Sequence, residues 1–408
     1  MSVKCKLPLE GIKVVELATV VAAPTVGRML CSYGAEVVKV ESPWGDELRG
    51  VGDFERVICE EERNPLFTIQ NSGKRLISIN LKTEEGRNVF MRLLERADVL
   101  VTNVRAAALK RLGLDYETLH EQMPSLVYAH LSGFGPEGPD SGNPGFDSTA
   151  FWLRSGPMAD WQVPGSFPFV PTYAFGDMAT SSVLLSGVLM ALIGRERTGE
   201  GTFVNTSLFA SGIWCNSIAV VSHQPQFGGE RPVDPMRPPD PFSQTYLCSD
   251  GRWIGVYDND YKREIPKFAK LFDLPELEND PRCADLEKLA DTGAIVEITR
   301  KLNDIFLTRS SWEWREYLLA NSVSCEVMRS IRDVSSDEQA LANGYVKKVD
   351  FGEGLEVMMP MPPVHFSRYE VREYEPAGRL GRDTDEVLGE LGYSVSEVAG
   401  LREKKAIV

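Results

Sequence analysis

Carboxylates are the chemistry left to this chain once the common catalytic signatures are sought. Its 408 residues contain no Walker loop, no G-x-G-x-x-G, no G-x-S-x-G and no H-E-x-x-H, so phosphate-cradle, serine-hydrolase and zincin chemistry lack their usual frames. His120, His130, His223 and His365 lie far apart and show no ligand spacing, which makes satisfied core or surface histidines the expectation. The cysteines at 5, 31, 59, 215, 248, 283 and 325 are odd in number and form no C-x-x-C pair. That argues against a disulfide framework and a structural zinc site, and predicts buried reduced thiols in a cytoplasmic protein without a metal.

Two aspartates stand at junctions where a carboxylate could act. Asp177, in Phe175-Gly176-Asp177, follows a Pro-rich extended stretch and directly precedes an apolar run from Met178 to Ile193. As a helix N-cap, its oxygen would simply accept a helix-end N–H. As a nucleophile, it would be held ionised by the helix dipole, and Gly176 would let a bulky electrophile approach. Asp147, in Pro144-Gly145-Phe146-Asp147-Ser148, occupies a second turn-to-helix junction and carries the same cap reading.

The elements that must position these groups follow from hydrophobic period. Ile12 to Ala18, Ala35 to Val40, Leu76 to Leu81, Ala97 to Val104 and Leu126 to Leu131 read as strands. A helix spans Ala22 to Tyr33, and Glu84 to Arg96 forms an amphipathic one with Val89, Phe90, Leu93 and Leu94 inward. Strand, helix and strand within about thirty residues open a parallel α/β sheet, in which ligands sit beyond the strand C-termini. Six prolines between Gln224 and Pro241 mark a linker or surface loop. A hairpin around Asp250-Gly251 and helical patterns from Tyr261 to about Ala320 then predict a smaller α+β domain. The segment Gly381 to Gly392 reads as a capped helix that docks on the larger domain. The fold class is therefore α/β, with a Rossmann-like large domain from 1–224 plus 331–408 and a small α+β domain from 225–330.

Composition narrows the partners. The chain carries 44 Lys and Arg against 59 Asp and Glu, a net charge of −15, so a sequence-independent grip on nucleic acid is not expected. The first 113 residues hold 17 basic and 15 acidic side chains, so an anionic cofactor is expected early in the chain. The N-terminus lacks a signal-peptide apolar region, and no apolar run reaches the roughly 20 residues of a spanning helix. Met178 to Ile193, interrupted by Thr180, Ser181, Ser182 and Ser186, is expected to be a buried core helix.

An ordered series of segments resembles the class III (family III) CoA-transferases over nearly the whole chain. These are Pro8-Leu9-Glu10-Gly11-Ile12-Lys13-Val14-Val15-Glu16-Leu17, Gly34-Ala35-Glu36-Val37-Val38-Lys39-Val40-Glu41 with Gly45-Asp46, Asn80-Leu81-Lys82-Thr83 and Ala97-Asp98-Val99-Leu100-Val101-Thr102-Asn103. They continue with Arg111-Leu112-Gly113, Ser132-Gly133-Phe134-Gly135, Gly176-Asp177, Arg197-Thr198-Gly199-Glu200-Gly201 and Gly381-Arg382-Asp383-Thr384. The resemblance implies that Asp177 is the catalytic aspartate, forming a mixed anhydride and then an aspartyl-CoA thioester. It implies coenzyme A as substrate, carried by an acyl-CoA, with small carboxylic acids as acceptors.

The CoA contacts implied by the resemblance fall at Val21, Ala22, Ser42, Ile79, Lys82, Asn103, Val104, Arg105, Arg111, Gly145, Phe146 and Asp147. Lys82, Arg105 and Arg111 suit the CoA phosphates. Family members often carry Arg where Ser42 stands, which shifts that contact to Arg49 or another side chain. The related 2-methylacyl-CoA racemases carry an acid/base His where Phe146 stands, and Phe has no proton to exchange. A non-catalytic acyl-CoA-binding protein of the same fold is the alternative from a different class.

The stretch from Pro144 to Trp152 looks most like the branch acting on 2-hydroxy acids such as aryl-lactates or 2-hydroxyisocaproate in amino-acid fermentation. Phe146, Phe151, Trp152 and Trp161 are either an apolar substrate pocket or ordinary core. The resemblance also implies an interlocked homodimer.

Overall fold

Strands rich in Val, Ile and Leu on both faces belong in a parallel sheet covered by helices on each side. The computed structural model describes residues 6–50, 52, 57, 60–257 and 260–408, and the notable residues Cys5 and Cys59 fall outside them. Its main sheet has six parallel strands: β1 (Lys13–Leu17), β2 (Glu36–Glu41), β3 (Arg75–Ser78), β4 (Val99–Thr102), β5 (Val127–Ser132) and β6 (Phe203–Ser207). Their order is β3-β2-β1-β4-β5-β6. The direction of winding reverses between β1 and β4, where open α/β sheets leave a ligand crevice at the strand C-termini. The mixed α/β class with a parallel sheet is the architecture expected from the sequence. The last strand, β6, has no counterpart among the expected elements, because Phe203 to Ser207 is short, half polar and lies at the sheet edge.

The helices that matter for the site are α1 (Ala22–Ser32), α2 (Pro65–Asn71), α3 (Glu84–Leu94), α4 (Ala106–Leu112), α5 (Tyr116–Gln122), α6 (Phe175–Thr198) and α7 (Leu208–Cys215). Helix α3 buries Val89, Phe90, Leu93 and Leu94, as its period requires. Helix α6 departs from the expected core helix. It buries a single stripe, Gly176, Thr180, Ser181, Leu184, Val188 and Leu192, and leaves Met178, Met190 and Ile193 exposed. Its length and apolarity alone match those of a membrane-crossing helix.

The chain divides into two compact units, Met1–Ser155 with Pro171–Ile218 and Ser335–Val408, and Gly156–Val170 with Ala219–Val334. The segment 156–170, expected in the larger domain, belongs to the second unit. That second unit contains a three-stranded antiparallel sheet of β7 (Ser243–Leu247), β8 (Trp253–Tyr257) and β9 (Cys325–Val327). Gly251 turns the β7–β8 hairpin at φ +75°, and α8 (Tyr261–Leu271), α9 (Ala294–Phe306) and α10 (Ser311–Ala320) supply much of its core.

In the first unit a second hairpin, β10 (Val346–Asp350) and β11 (Glu356–Pro360), precedes α11 (Thr384–Glu390) and α12 (Val395–Glu403). Helix α11 docks on the β3 edge. Val387, Leu388 and Leu391 join the core of Val15 and Ile77, and the Asp383 carboxylate accepts the Leu76 N–H at 2.7 Å instead of capping its own helix.

A wholly buried ion network ties the loops that follow β1 and β2. Glu16 pairs with Lys39 at 3.1 Å and Lys74 at 2.7 Å, and Lys39 also pairs with Asp46 at 2.8 Å, every side chain sealed from solvent. Asp46 Oδ1 accepts the Val20 N–H at 3.0 Å, so the charge chain runs from the sheet interior to the turn before α1. Such ions are tolerated because each is paired and hydrogen-bonded. Gly27 in α1 leaves the room: a Cβ there would stand 1.9 Å from Glu16 Oε2.

Candidate active site

Helix α6 begins three residues earlier than the sequence suggests. Ala174, buried and left-handed at φ +60°, is its N-cap, Phe175 is the first helical residue, and Asp177 is the third. Asp177 therefore does not cap the helix. Its backbone N–H donates to Asp147 Oδ1 at 2.9 Å, and the Gly176 N–H also reaches the Asp147 carboxylate. The cap comes from a segment thirty residues away in the chain.

Asp147 likewise does not cap the element it opens. It starts a π-helical turn, Asp147–Leu153, whose N-cap is Phe146, with the Phe146 N–H held by Thr149 Oγ1 at 2.9 Å. That turn buries Phe151 and Trp152 beneath α6. Trp152 packs on Phe175 with ring centroids 5.6 Å apart, and the Phe151 ring fills the space where Gly176 would carry a side chain. Gly133 and Gly145 meet back to back, a Cβ on either falling within 2.6 Å of the other's Cα. This contact seats the strand β5 exit against the 144–147 loop.

The electrostatics of the two aspartates differ in a useful way. Burial pushes the Asp147 carboxyl up, while the N–H groups of Asp177 and Gly176 and the Trp152 side chain work against that shift. The half-buried Asp177 carboxyl takes no hydrogen bond from any described residue, and burial first, then the neighbouring Asp147 charge, push it up to about 7. The expectation that the helix end holds Asp177 ionised is thus corrected: Asp147 occupies the helix-end amides, leaving Asp177 poised near neutrality.

The loop after β1 is assembled beside this pair. Val21 packs in one cluster with Ala174 and Phe67, and the Ala22 carbonyl accepts the Ser181 hydroxyl at 2.6 Å. Thr25 Oγ1 approaches Met178 Sδ at 3.4 Å. Both Val21 and Ala22 are buried, so a ligand here would meet their backbone rather than their side chains. The other residues expected to hold CoA spread along the C-terminal edge of the sheet.

Ser42 is exposed after β2, where its hydroxyl binds the Gly45 carbonyl at 3.3 Å. Ile79 is buried in a bridge to Ile407 and contributes backbone only. The exposed Lys82 sits with Nζ 5.1 Å from the centre of the Trp44 ring. Asn103 is occupied structurally, its side chain clamping both the N–H and the carbonyl of Thr19 at 3.1 and 2.8 Å. Val104 offers its carbonyl to His130 Nε2 at 3.0 Å. Arg105 is the exposed N-cap of α4, and Arg111 lies in that helix's last turn. Arg49 is committed to a two-pronged pair with Glu41, both bonds 2.8 Å.

Of the four aromatics considered for a substrate pocket, Phe151 and Trp152 are buried core, whereas Phe146 and Trp161 are exposed. Trp44, 75% exposed directly after β2, escaped sequence reading. An aromatic in the loop leaving a parallel strand was its available signal. The cysteine expectation also needs one correction, since Cys215 is exposed, while Cys31, Cys248, Cys283 and Cys325 are buried and all five are free thiols.

Comparison with known proteins shows the family to which the chain belongs. Residues 9–384 match the profile of CoA-transferase family III. The chain is 33% identical over 399 residues to (R)-2-hydroxy-4-methylpentanoate CoA-transferase of Clostridioides difficile, covering 98% of this chain and 99% of the relative. It is 34% identical over 399 residues to cinnamoyl-CoA:phenyllactate CoA-transferase of Clostridium sporogenes, covering 98% and 97%. Among solved structures, a CAIB/BAIF family protein from Brucella suis superposes with a TM-score of 0.79 at 30% identity, covering 95% of this chain and all of that one.

Proposed function

Because this chain belongs to CoA-transferase family III and is an enzyme of that class, we propose that it exchanges CoA between carboxylic acids through covalent intermediates on Asp177, with 2-hydroxy acids as substrates. The observation that carries this reading is the Asp177 carboxyl itself: third residue of α6, half-buried, free of hydrogen bonds from described residues, and poised near pH 7. A carboxylate so placed is desolvated enough to attack and still ionisable at neutrality.

In the first step an Asp177 oxygen bonds to the thioester carbonyl carbon, the C–S bond breaks, and its electron pair leaves on the CoA thiolate. The thiolate then attacks the Asp177 carboxyl carbon of the mixed anhydride, the donor carboxylate departs, and an aspartyl-CoA thioester remains. The acceptor carboxylate reverses both steps. One thioester replaces another, so no nucleotide is consumed. The substrate class rests on the two relatives whose names specify a hydroxy acid and its CoA transfer. Phe146, without a titratable proton, supports transfer over racemisation.

CoA lies along the strand C-termini in this reading, with Val21, Ala22, Ile79 and Val104 supplying backbone and Lys82, Arg105 and Arg111 meeting phosphates. Its working form is an interlocked homodimer in the cytoplasm. The apolar side chains left exposed on α6 and on the helix α7 packed against it, Met190, Ile193 and Trp214, support a second copy as their cover. The test is intact-protein mass spectrometry after addition of acyl-CoA and then hydroxylamine, with a panel of carboxylic acids followed for thioester formation. A hydroxamate on wild type and none on Asp177→Ala supports the reading, and equal turnover by both proteins overturns it.

A further inference from the structure

Asp147 is drawn by resemblance toward CoA, but its atoms are spent elsewhere. One oxygen accepts the Asp177 N–H at 2.9 Å, the Gly176 N–H reaches the same carboxylate, and a Cβ on Gly176 would stand 2.4 Å from Oδ1. This carboxylate is thus locked against the backbone of the reacting residue. We propose that Asp147 is a positioning residue that caps the first turn of α6 from outside the helix and, by its fixed charge, makes the free carboxylate of Asp177 the costly state, so that acylation of Asp177 relieves the repulsion. The inference rests on Asp177 as nucleophile and adds what sets its reactivity.

The chemistry follows from charge count. Free, ionised Asp177 places two negative charges on adjoining segments at half-buried positions, where solvent screens them less than at the open surface. The mixed anhydride and the aspartyl-CoA thioester are both neutral at Asp177, because its negative charge passes first to the CoA thiolate and then to the departing donor carboxylate, away from Asp147. The amide donors favour the charged form of Asp147 and work against the rise that burial causes, whereas Asp177 holds no such donors among the described residues. An acid pair whose environments are pushed apart divides its roles in this way. Here one member supplies the field and the other reacts.

Little else charged faces Asp177. Helix α6 packs against α1, β5, β6, α7 and the turn 147–153. Among the described residues, the titratable or charged side chains on those elements are Arg28 and Cys31 on α1, Tyr128 and His130 on β5, Cys215 on α7 and Asp147 on the turn, with none on β6. Among the described residues, Asp147 is the charge that shifts Asp177.

The experiment compares wild type, Asp147→Asn, Asp147→Ala and Asp177→Asn as full-length enzymes. Ionisation of Asp177 is followed by difference infrared spectroscopy of the carboxylate band, using Asp177→Asn to assign it, and the pH dependence of kcat/KM is measured alongside. Asn retains an oxygen for the two N–H groups and removes the charge. The Asp177 titration and the acid limb of the rate profile should both move down by about one pH unit in Asp147→Asn. The steady-state fraction of hydroxylamine-sensitive adduct should fall several-fold at fixed acyl-CoA, with CoA affinity retained.

Asp147→Ala, which also loses the cap, should lower kcat further without changing that affinity. An Asp177 titration identical in wild type and Asp147→Asn overturns the inference. The infrared titration needs no turnover, so it remains decisive even if an active Asp177→Asn were to remove Asp177 from the mechanism.

Discussion

Gly176 and Asp147 touch so closely that no side chain fits between them: a Cβ at 176 would fall 2.4 Å from Asp147 Oδ1 and 2.4 Å from Phe151 Cγ. The glycine is helical and needs no unusual φ, so the requirement is purely one of space. Gly176→Ala should therefore push Asp147 off the first turn of α6. The expected cost is about 1–3 kcal/mol of stability and on the order of 100-fold in kcat. Thermal unfolding and turnover at saturating substrate measure the two effects separately.

The raised Asp177 titration has a sign that stability can report. The folded carboxyl ionises at about 7, whereas the unfolded one ionises near the ordinary 3.8. Between those values the unfolded chain holds fewer protons, so this group's contribution to stability falls as pH rises through the window and is constant above it. Asp177→Asn should be more stable than wild type at pH 8, by about 1–2 kcal/mol once solvent screening of the half-buried carboxyl reduces the full linkage value of about 4 kcal/mol, and equal to it near pH 3. Melting curves at the two pH values check this, and a variant less stable at pH 8 contradicts the assigned environment.

The buried network beneath the β1 and β2 loops is predicted to be intolerant of partial removal. Glu16→Gln leaves Lys39 and Lys74 without their shared carboxylate, and breaking a sealed ion pair costs about 3–5 kcal/mol. Denaturant unfolding measures it. The loss should exceed that of Arg75→Ala, whose partners Glu386 and Glu390 are exposed and where a pair contributes about 0–1 kcal/mol.

Lys82 and Trp44 form the exposed cation and ring pair at the ends of β2 and β3. Lys82→Ala should weaken CoA binding by about 1–3 kcal/mol through loss of a charge-assisted phosphate bond. It should leave kcat at saturating acyl-CoA unchanged. Calorimetric titration with CoA provides the measurement, and an unchanged dissociation constant returns Lys82 to a solvated surface role.

Asn103→Ala offers a contrast, because its side chain clamps Thr19 in the loop before α1. It should lower stability by about 1 kcal/mol per lost hydrogen bond. Any loss of CoA affinity should accompany that destabilisation, in contrast to the expectation for Lys82→Ala.

The sequence by itself determined the parallel α/β character, since runs such as KVVEL and EVVKVE, spaced by one helix, can be satisfied only as buried neighbouring strands. It also singled out Asp177 and Asp147, because carboxylates beside glycine at helix entrances are visible as local patterns. Strand ends were less legible: β3 stops at Ser78, while Ile79 still donates its N–H to the Glu41 carbonyl of β2 at 2.9 Å and bridges Ile407, a partner more than three hundred residues distant. The roles of the two aspartates were decided by tertiary structure alone. Each reads locally as the cap of its own helix, yet Asp147 caps the helix of Asp177 and thereby leaves that carboxyl without amide donors among the described residues. A cap is a hydrogen bond to whichever acceptor reaches the helix end first. That competition runs across thirty residues, beyond the reach of any local pattern.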